Sequence, residues 1–409
     1  KDAQLTAATV QRPHITHDQV SVLFWVNTGL GVLICILLAL AAPFIAQFYN
    51  NPRLLLVVIA LGGGIVIDGL GVQHGALLKR QMRYFEISMI NFFAMAFSVL
   101  LAIGMAWMGM GYWSLVALTI SQSLVLLLGS WLITGWYPGW PRDFRSAVPL
   151  LKFGWTLTLA QLIGEIRKSC VNALLGYVKG PIVLGYYSRA QMLFELPIQQ
   201  LTWPLSSLAV SAMSRAVGDP ARYRRAYLAG IEQLSFVMVP IFAVLIVYAH
   251  ESVLLFLGEK WNHVVPIFVI LAFNGFVVPF LVSSYWLFVS QNRGVEYLKF
   301  QLAGTIIFIL LLAIGIIWGG EGVALAVTAS NYLQLPLLAW LVGRSGPVRA
   351  SDFFSVLVFP LQTALVSIFL LLGLNYFVHI SSPALNLLFG ILVVMIICCL
   401  MLYLLPKGR

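Results

Sequence analysis

Six ionisable side chains, Asp68, Glu165, Arg167, Lys168, Arg189 and Glu195, lie deep inside apolar stretches of this 409-residue chain. A charge surrounded by hydrocarbon costs about 2.5–3.5 kcal/mol on insertion scales, so each needs water or a partner. Over 153–177, Gly154, Thr158, Gln161, Glu165, Lys168 and Asn172 fall within one narrow stripe when the segment is wound as a helix. That stripe reads as the lining of a wet cleft. The alternative is a Glu165–Lys168 pair, one turn apart, that neutralises itself. Arg167 falls off the stripe and is expected to pack against a neighbour. In the next segment Arg189, Glu195, Gln199 and Trp203 share a broad face, with Met192 among them, Tyr186 at one rim and Gln191 beyond the other. Arg189 is the leading candidate for anion recognition, because a guanidinium stays charged at any working pH and matches phosphate oxygens bidentately. An ion pair from Arg189 to Glu195 or Glu165 is the structural alternative, and the two roles are compatible. Pro197 and Pro204 are expected to interrupt this helix. Asp68, preceded by Gly62, Gly63 and Gly64, is a candidate to carry a coupling ion or proton, or to cap a helix break; Glu195 is a second ion-coupling candidate.

The elements that must hold these residues are membrane helices. The chain is 61% hydrophobic and 9% charged, with a mean hydropathy of +0.95. No water-soluble domain buries that much apolar surface. Twelve candidate spans of about 20 residues or more fall at 20–46, 54–74, 87–109, 112–135, 153–177, 183–212, 226–249, 262–290, 297–319, 321–343, 353–378 and 384–405. The runs are continuous and Leu-rich, whereas a barrel strand would alternate every second residue. The expected fold class is therefore an all-α polytopic membrane protein. Cys35, Cys170, Cys398 and Cys399 all fall inside spans, at spacings that suit neither zinc nor a disulfide framework, and read as small apolar residues. No GxSxG, HExxH or phosphate-loop motif occurs. The six histidines are dispersed, and the loops are too short for a catalytic domain.

Two stretches are near copies. Residues 100–111 read LLAIGMAWMGMG and residues 311–322 read LLAIGIIWGGEG. Duplicated hydrophobic segments are a common build of secondary transporters, with the substrate path between the halves. The net charge of +10 is a topology signal. If the first loop is cytoplasmic, 18 of the 24 basic residues fall on that side, against Arg53, Lys179 and Lys260 on the other. The positive-inside rule then puts both ends in the cytoplasm. Nucleic-acid binding is a poor reading, because the charges are scattered over six loops and the C-terminus. The chain has no initiator Met and opens on a polar stretch, so an N-terminal piece is expected to be missing.

Five stretches, in order, carry a family resemblance. They are ALLKRQMRYFE at 76–86 with GMGYWSLVALTISQ at 109–122, ALLGYVKGPIVLGYYSRAQMLFELPIQ at 173–199, SAMSRAVGDPARYRRAYL at 211–228 and LGEKWNHVVPIFVILAFNG at 257–275. From about residue 5 to 350 the chain resembles the polysaccharide transporter family, the Wzx-type flippases of the multidrug/oligosaccharidyl-lipid/polysaccharide superfamily. The resemblance implies a two-lobed inverted-V fold of fourteen helices, about twelve of them present here. It divides the chain into an N-lobe remainder at 1–135, a cytoplasmic linker at 136–152, a six-helix C-lobe at 153–343 and an extra helix pair at 353–409.

The resemblance also implies a function. Family members move undecaprenyl-pyrophosphate-linked oligosaccharide repeat units across the bacterial inner membrane, for exopolysaccharide, capsule or O-antigen synthesis. The implied partners are membrane lipid, the lipid-linked oligosaccharide, and polysaccharide polymerase and export proteins; no cofactor, metal or nucleic acid is implied. Arg189 sits where the family pattern places a basic or polar residue, and is expected to hold the pyrophosphate when the cleft opens inward. Lys168, Glu165, Gln161, Asn172 and Gln199 complete the expected substrate-binding set. Arg167 and Lys168 depart from the family pattern towards a more basic cavity. The alternatives are a drug/cation antiporter of the same superfamily, whose cavity should be acidic where this one is balanced, and a membrane-embedded polymerase or ligase, which the short outer loops disfavour.

Overall fold

A computed structural model describes residues 9, 15–48, 51–141, 144–344, 346–377 and 382–404. The chain divides into two compact units, Lys1–Thr158 and Leu159–Arg409. Four helices carry the first unit: α1 (His17–Phe48), α2 (Arg53–Arg80), α3 (Tyr84–Trp107) and α4 (Trp113–Thr134). Helix α2 packs on both α1 and α4, and α3 on α4. Small residues set the α1–α2 spacing: a Cβ at Gly31 would stand 3.2 Å from the Ile65 carbonyl oxygen, and one at Gly69 3.1 Å from that of Asn27. In lipid, where hydrocarbon offers no hydrophobic drive between helices, such close backbone approach is a main source of association.

Helix α4 ends on Gly135, whose left-handed φ of 57° lets its N–H cap the Trp131 carbonyl. The following segment returns to the first unit. Trp136 Nε1 donates to His17 Nδ1 (3.0 Å), the Gly139 N–H to Ser21 Oγ (3.0 Å), and Trp25 Nε1 to the Gly139 carbonyl (2.9 Å). Trp140 stacks on Trp25. Helix α5 (Phe144–Lys179) begins within the 136–152 stretch and carries Pro149 within it.

In the second unit, α5 is followed by α6 (Pro181–Ala216), α7 (Pro220–Val247), the short α8 (Ala249–Leu257), α9 (Val264–Ala272), α10 (Val278–Ser290), α11 (Gly294–Gly315), α12 (Gly319–Arg344), α13 (Ala350–Phe377) and α14 (Pro383–Leu404). Local chemistry explains the starts and stops. Asp219 caps α7 by accepting from the Ala221 and Arg222 N–H groups, and Pro220 occupies the first helical position. The core is aromatic, and several of its polar tips are paired, although the buried Tyr248 hydroxyl is not. Tyr223 bonds Ser290 (2.7 Å), Tyr227 bonds Ser283 (3.2 Å) and Trp286 Nε1 donates to Ser206 (2.8 Å). Helices α13 and α14 join through an apolar cluster of Val244, Tyr248, Leu371, Leu387 and Val394, and through Arg224, which grips Asp352 with two hydrogen bonds of 2.7 and 2.5 Å.

Two expectations need correction. Helix α6 runs unbroken through Pro197 and Pro204; each proline removes one N–H, and the flanking turns carry the helix across. The break falls instead in the 262–290 segment, expected as one span, where α9 and α10 are bent by 46° around a tight turn at Phe273–Phe276. Gly275 explains the site, because a Cβ there would stand 1.9 Å from the Phe242 ring. By length and composition, eight helical segments among the described residues are able to cross a membrane, nine if the bent pair is one span. Their exposed faces are apolar, as at Leu40, Phe44, Leu132 and Phe369, which suits lipid. All four cysteines are free thiols.

Candidate functional site

Glu195 is the centre of the polar face of the second unit. Gln191, Glu195 and Gln199 stand at i−4, i and i+4 on α6, so their side chains meet along one face. Gln191 Nε2 donates to one carboxylate oxygen (2.9 Å) and Gln199 Nε2 to the other (3.1 Å). From α5, Lys168 Nζ lies 3.1 Å from Glu195 Oε1, with the lysine side chain 52% exposed and the carboxylate 27%. The cluster therefore joins two helices and stays open to water or solute.

The alternative Glu165–Lys168 pair does not form, since Lys168 turns to Glu195 instead. Glu165 is exposed and has no partner among the described residues. Gln161 and Asn172 are exposed on the same stripe, and Gln161 has a polar contact of its own. Arg189 does not pair with Glu195 or Glu165. It is exposed, its Nη1 contacts Met192 Sδ at 3.6 Å, and its guanidinium lies 5.6 Å from the centre of the Trp261 ring. Tyr186 stands edge-on to Trp261, and His263 lies beside Tyr186. The Trp203 side chain lies outside the described residues. Asp68 is half-buried on α2 in the first unit and has a polar contact.

Arg167 packs against neighbours, as expected, and anchors a second network. Its Nη2 donates to Asn331 Oδ1 (3.2 Å), and its guanidinium sits 4.7 Å from the Phe308 ring centre. Asn331 Nδ2 donates to Asn274 Oδ1 (3.1 Å), Asn274 Nδ2 to Thr328 Oγ1 (2.9 Å), and Thr328 Oγ1 to the Ile270 carbonyl (3.0 Å). One chain of polar groups thus runs from α5 through α12 to the break between α9 and α10. Sequence reading missed Asn274, Thr328 and Asn331, which are unremarkable polar residues in apolar runs. It also put Gln191 off the face, although the 191/195/199 spacing was visible. No group of three His, Cys, Asp or Glu side chains among the described residues converges as a metal would require.

Helix order and the division into two units define an all-α polytopic membrane protein with the two-unit fold of solved multidrug transporters and a lipid flippase. The outward-facing structure of a multidrug resistance MATE family transporter of the MOP superfamily superposes with a TM-score of 0.66 at 16% identity, over 83% of each chain. Lipid II flippase MurJ, in its inward closed conformation, gives a TM-score of 0.65 at 16% identity over 97% of this chain and 87% of that one. At the level of sequence, the chain belongs to the polysaccharide biosynthesis protein family, whose profile matches residues 1–266. It is 25% identical over 320 residues to lipopolysaccharide biosynthesis protein WzxC of Escherichia coli (strain K12), covering 77% of this chain and 64% of that protein's length. It is 22% identical to succinoglycan biosynthesis transport protein ExoT of Rhizobium meliloti (strain 1021), covering 95% of this chain and 79% of the relative.

Proposed function

We propose that this chain flips undecaprenyl-pyrophosphate-linked oligosaccharide repeat units from the inner to the outer leaflet of the bacterial inner membrane, as a transporter without chemistry of its own. The carrying observation is the Lys168–Glu195–Gln191–Gln199 cluster, with the exposed Arg189 six residues before Glu195 on the same helix: polar groups on two helices of an otherwise apolar unit. A pyrophosphate and its sugars cannot cross hydrocarbon bare, because desolvation is prohibitive. A face that alternates cations, a carboxylate and amides offers them replacement hydrogen bonds, while the lipid tail stays among the apolar helix faces.

In this reading Arg189 meets the pyrophosphate, Lys168, Glu165, Gln161, Asn172 and Gln199 meet the sugars, and Asp68 and Glu195 are the ion-coupling candidates. Arg189 is eight residues into α6, about 12 Å from the α5–α6 turn at 1.5 Å per residue. That depth favours contact on the outer side over the inward-open contact suggested by the sequence. Twelve spans remain the best count: α5 and α6 are each 36 residues long despite their polar residues, and 294–344 is two packed helices rather than one. The lobes follow as 1–135 and 153–343, with the pair 353–409 beyond them and both ends cytoplasmic. Reporter fusions at Arg222 and Glu259 should then give opposite sides, and a common side would overturn the arrangement.

The test is leaflet transfer in proteoliposomes containing an undecaprenyl-pyrophosphate-linked oligosaccharide with a fluorescent sugar. Protein-dependent transfer is expected, and its absence refutes the reading. Arg189→Ala should slow transfer about 10- to 100-fold, the equivalent of one hydrogen bond to a charged group, with Arg189→Lys in between because lysine keeps the charge and loses the fork. Full-rate transfer by a well-folded Arg189→Ala protein would remove Arg189 from the site.

A further inference from the structure

We infer that Trp261 and Arg189 form one subsite, in which the indole holds the guanidinium at rest and receives the first sugar ring once the guanidinium has moved to phosphate. This rests on the proposed function and adds a specificity-determining residue to it. Arg189 is exposed and has no carboxylate partner among the described residues; its contacts are Met192 Sδ at 3.6 Å and the Trp261 ring at 5.6 Å. Both are weak beside a bidentate bond to phosphate oxygens. An arriving pyrophosphate therefore draws the guanidinium off the ring and uncovers an indole face next to the anion.

What lies next to the pyrophosphate in a lipid-linked saccharide is the first pyranose. A pyranose such as glucose presents a flat face of C–H groups, weakly positive at their hydrogens, that stacks on the negative face of an aromatic ring. Trp261 is built to hold still for this. Gly258, at φ 90°, turns the chain out of α8, and the Trp261 N–H bonds the Gly258 carbonyl (3.1 Å). Tyr186 braces the indole edge-on, with ring centres 6.1 Å apart at 86°. His263, its ring 5.4 Å from Tyr186, supplies a ring nitrogen for a hydroxyl. Aromatic residues at membrane interfaces also act as plain anchors, but an anchor has no reason to carry a cation on its face and would not distinguish a sugar-bearing lipid from a bare one.

The experiment measures binding of two probes to the full chain in detergent micelles: undecaprenyl pyrophosphate, and undecaprenyl pyrophosphate bearing one glucose. The wild type should bind the glucosylated probe more tightly. Trp261→Ala should lose about tenfold for the glucosylated probe and less than twofold for the bare one, Trp261→Phe should keep most of the preference, and Arg189→Ala should weaken both alike. If Trp261→Ala does not fold, Tyr186→Leu, which removes the brace, should reduce the preference in the same direction. Equal effects of Trp261→Ala on both probes, or none, would overturn the subsite and leave the flippase reading standing. A wild type that binds neither probe would overturn both.

Discussion

Alanine at Gly315 and alanine at Gly104 should move the stability of this chain in opposite directions, although the two glycines hold equivalent places in the internal repeat. At Gly315 a Cβ would stand 2.3 Å from the Gly322 carbonyl oxygen, in the neighbouring helix. Ordinary carbon–oxygen contact is about 3.3–3.6 Å, so α11 and α12 must part by roughly 1 Å. The obstacle is backbone, which cannot rotate away, and overpacking of this kind costs about 1–3 kcal/mol. At Gly104 nothing lies within 4 Å. There the substitution only removes the flexibility of a helical glycine, a gain of about 0.5–1 kcal/mol. The gain applies at both sites, so the difference between the two variants isolates the packing cost of about 1–3 kcal/mol. The assay is the thermal midpoint of purified protein in one detergent, followed by the folded peak on size exclusion. Gly104→Ala should rise slightly, and Gly315→Ala should fall several degrees below it. Equal midpoints, or a stabilised Gly315→Ala, would refute the claim that α11 and α12 meet backbone to backbone.

Hydrogen bonds from Arg224, and from the Arg349 N–H, hold the Asp352 carboxyl below its usual range against the opposing effect of partial burial. A carboxyl with a lowered folded value contributes its full stabilisation above the unfolded value near ~3.9 and loses it as pH falls through the folded value; protease cleavage at a site inserted before α13 should therefore be flat from neutrality to about pH 4 and rise only below, and Asp352→Asn should abolish that rise. Arg167→Ala strips Asn331 of a donor and Phe308 of its cation and should cost about 2–4 kcal/mol in the same thermal assay, while Arg167→Met should recover the part due to volume. Glu195→Gln should alter stability by less than about 1 kcal/mol, because Lys168 is half exposed, yet change the leaflet-transfer rate.

Helix content and order were legible because lipid demands long unbroken apolar runs, and the family because its motifs come in a fixed order. The pairing of charges was not. Lys168 and Glu195 sit on different helices, and cross-helix register leaves no trace in spacing, whereas the local Glu165–Lys168 alternative does. Proline proved a poorer guide to a break than glycine under a ring: α6 passes through Pro197 and Pro204, while the chain bends where Gly275 meets Phe242. The repeat misled in a different way. Trp107-x-Gly109-x-Gly111 and Trp318-x-Gly320-x-Gly322 match in sequence, yet the first copy uses both glycines at positive φ and the second turns on Gly319 instead. The same letters make an open turn in one copy and a tight helix crossing in the other.

The bend at Phe273–Phe276 also bears on how the chain is made. On either side of it, 264–276 and 278–290 are thirteen residues each, roughly 20 Å of helix and too short to cross a hydrocarbon core of about 30 Å alone. Within the turn, Asn274 carries an amide whose acceptor is filled by Asn331, 57 residues later. At the ribosome's pace of about 5–20 residues per second, several seconds pass before that partner is synthesised. During that interval the amide must remain hydrated, so this segment should linger at the translocation machinery and enter lipid late, together with α12. A leucine at 274 would enter readily by itself, and would reach the finished protein with Asn331 deprived of its acceptor.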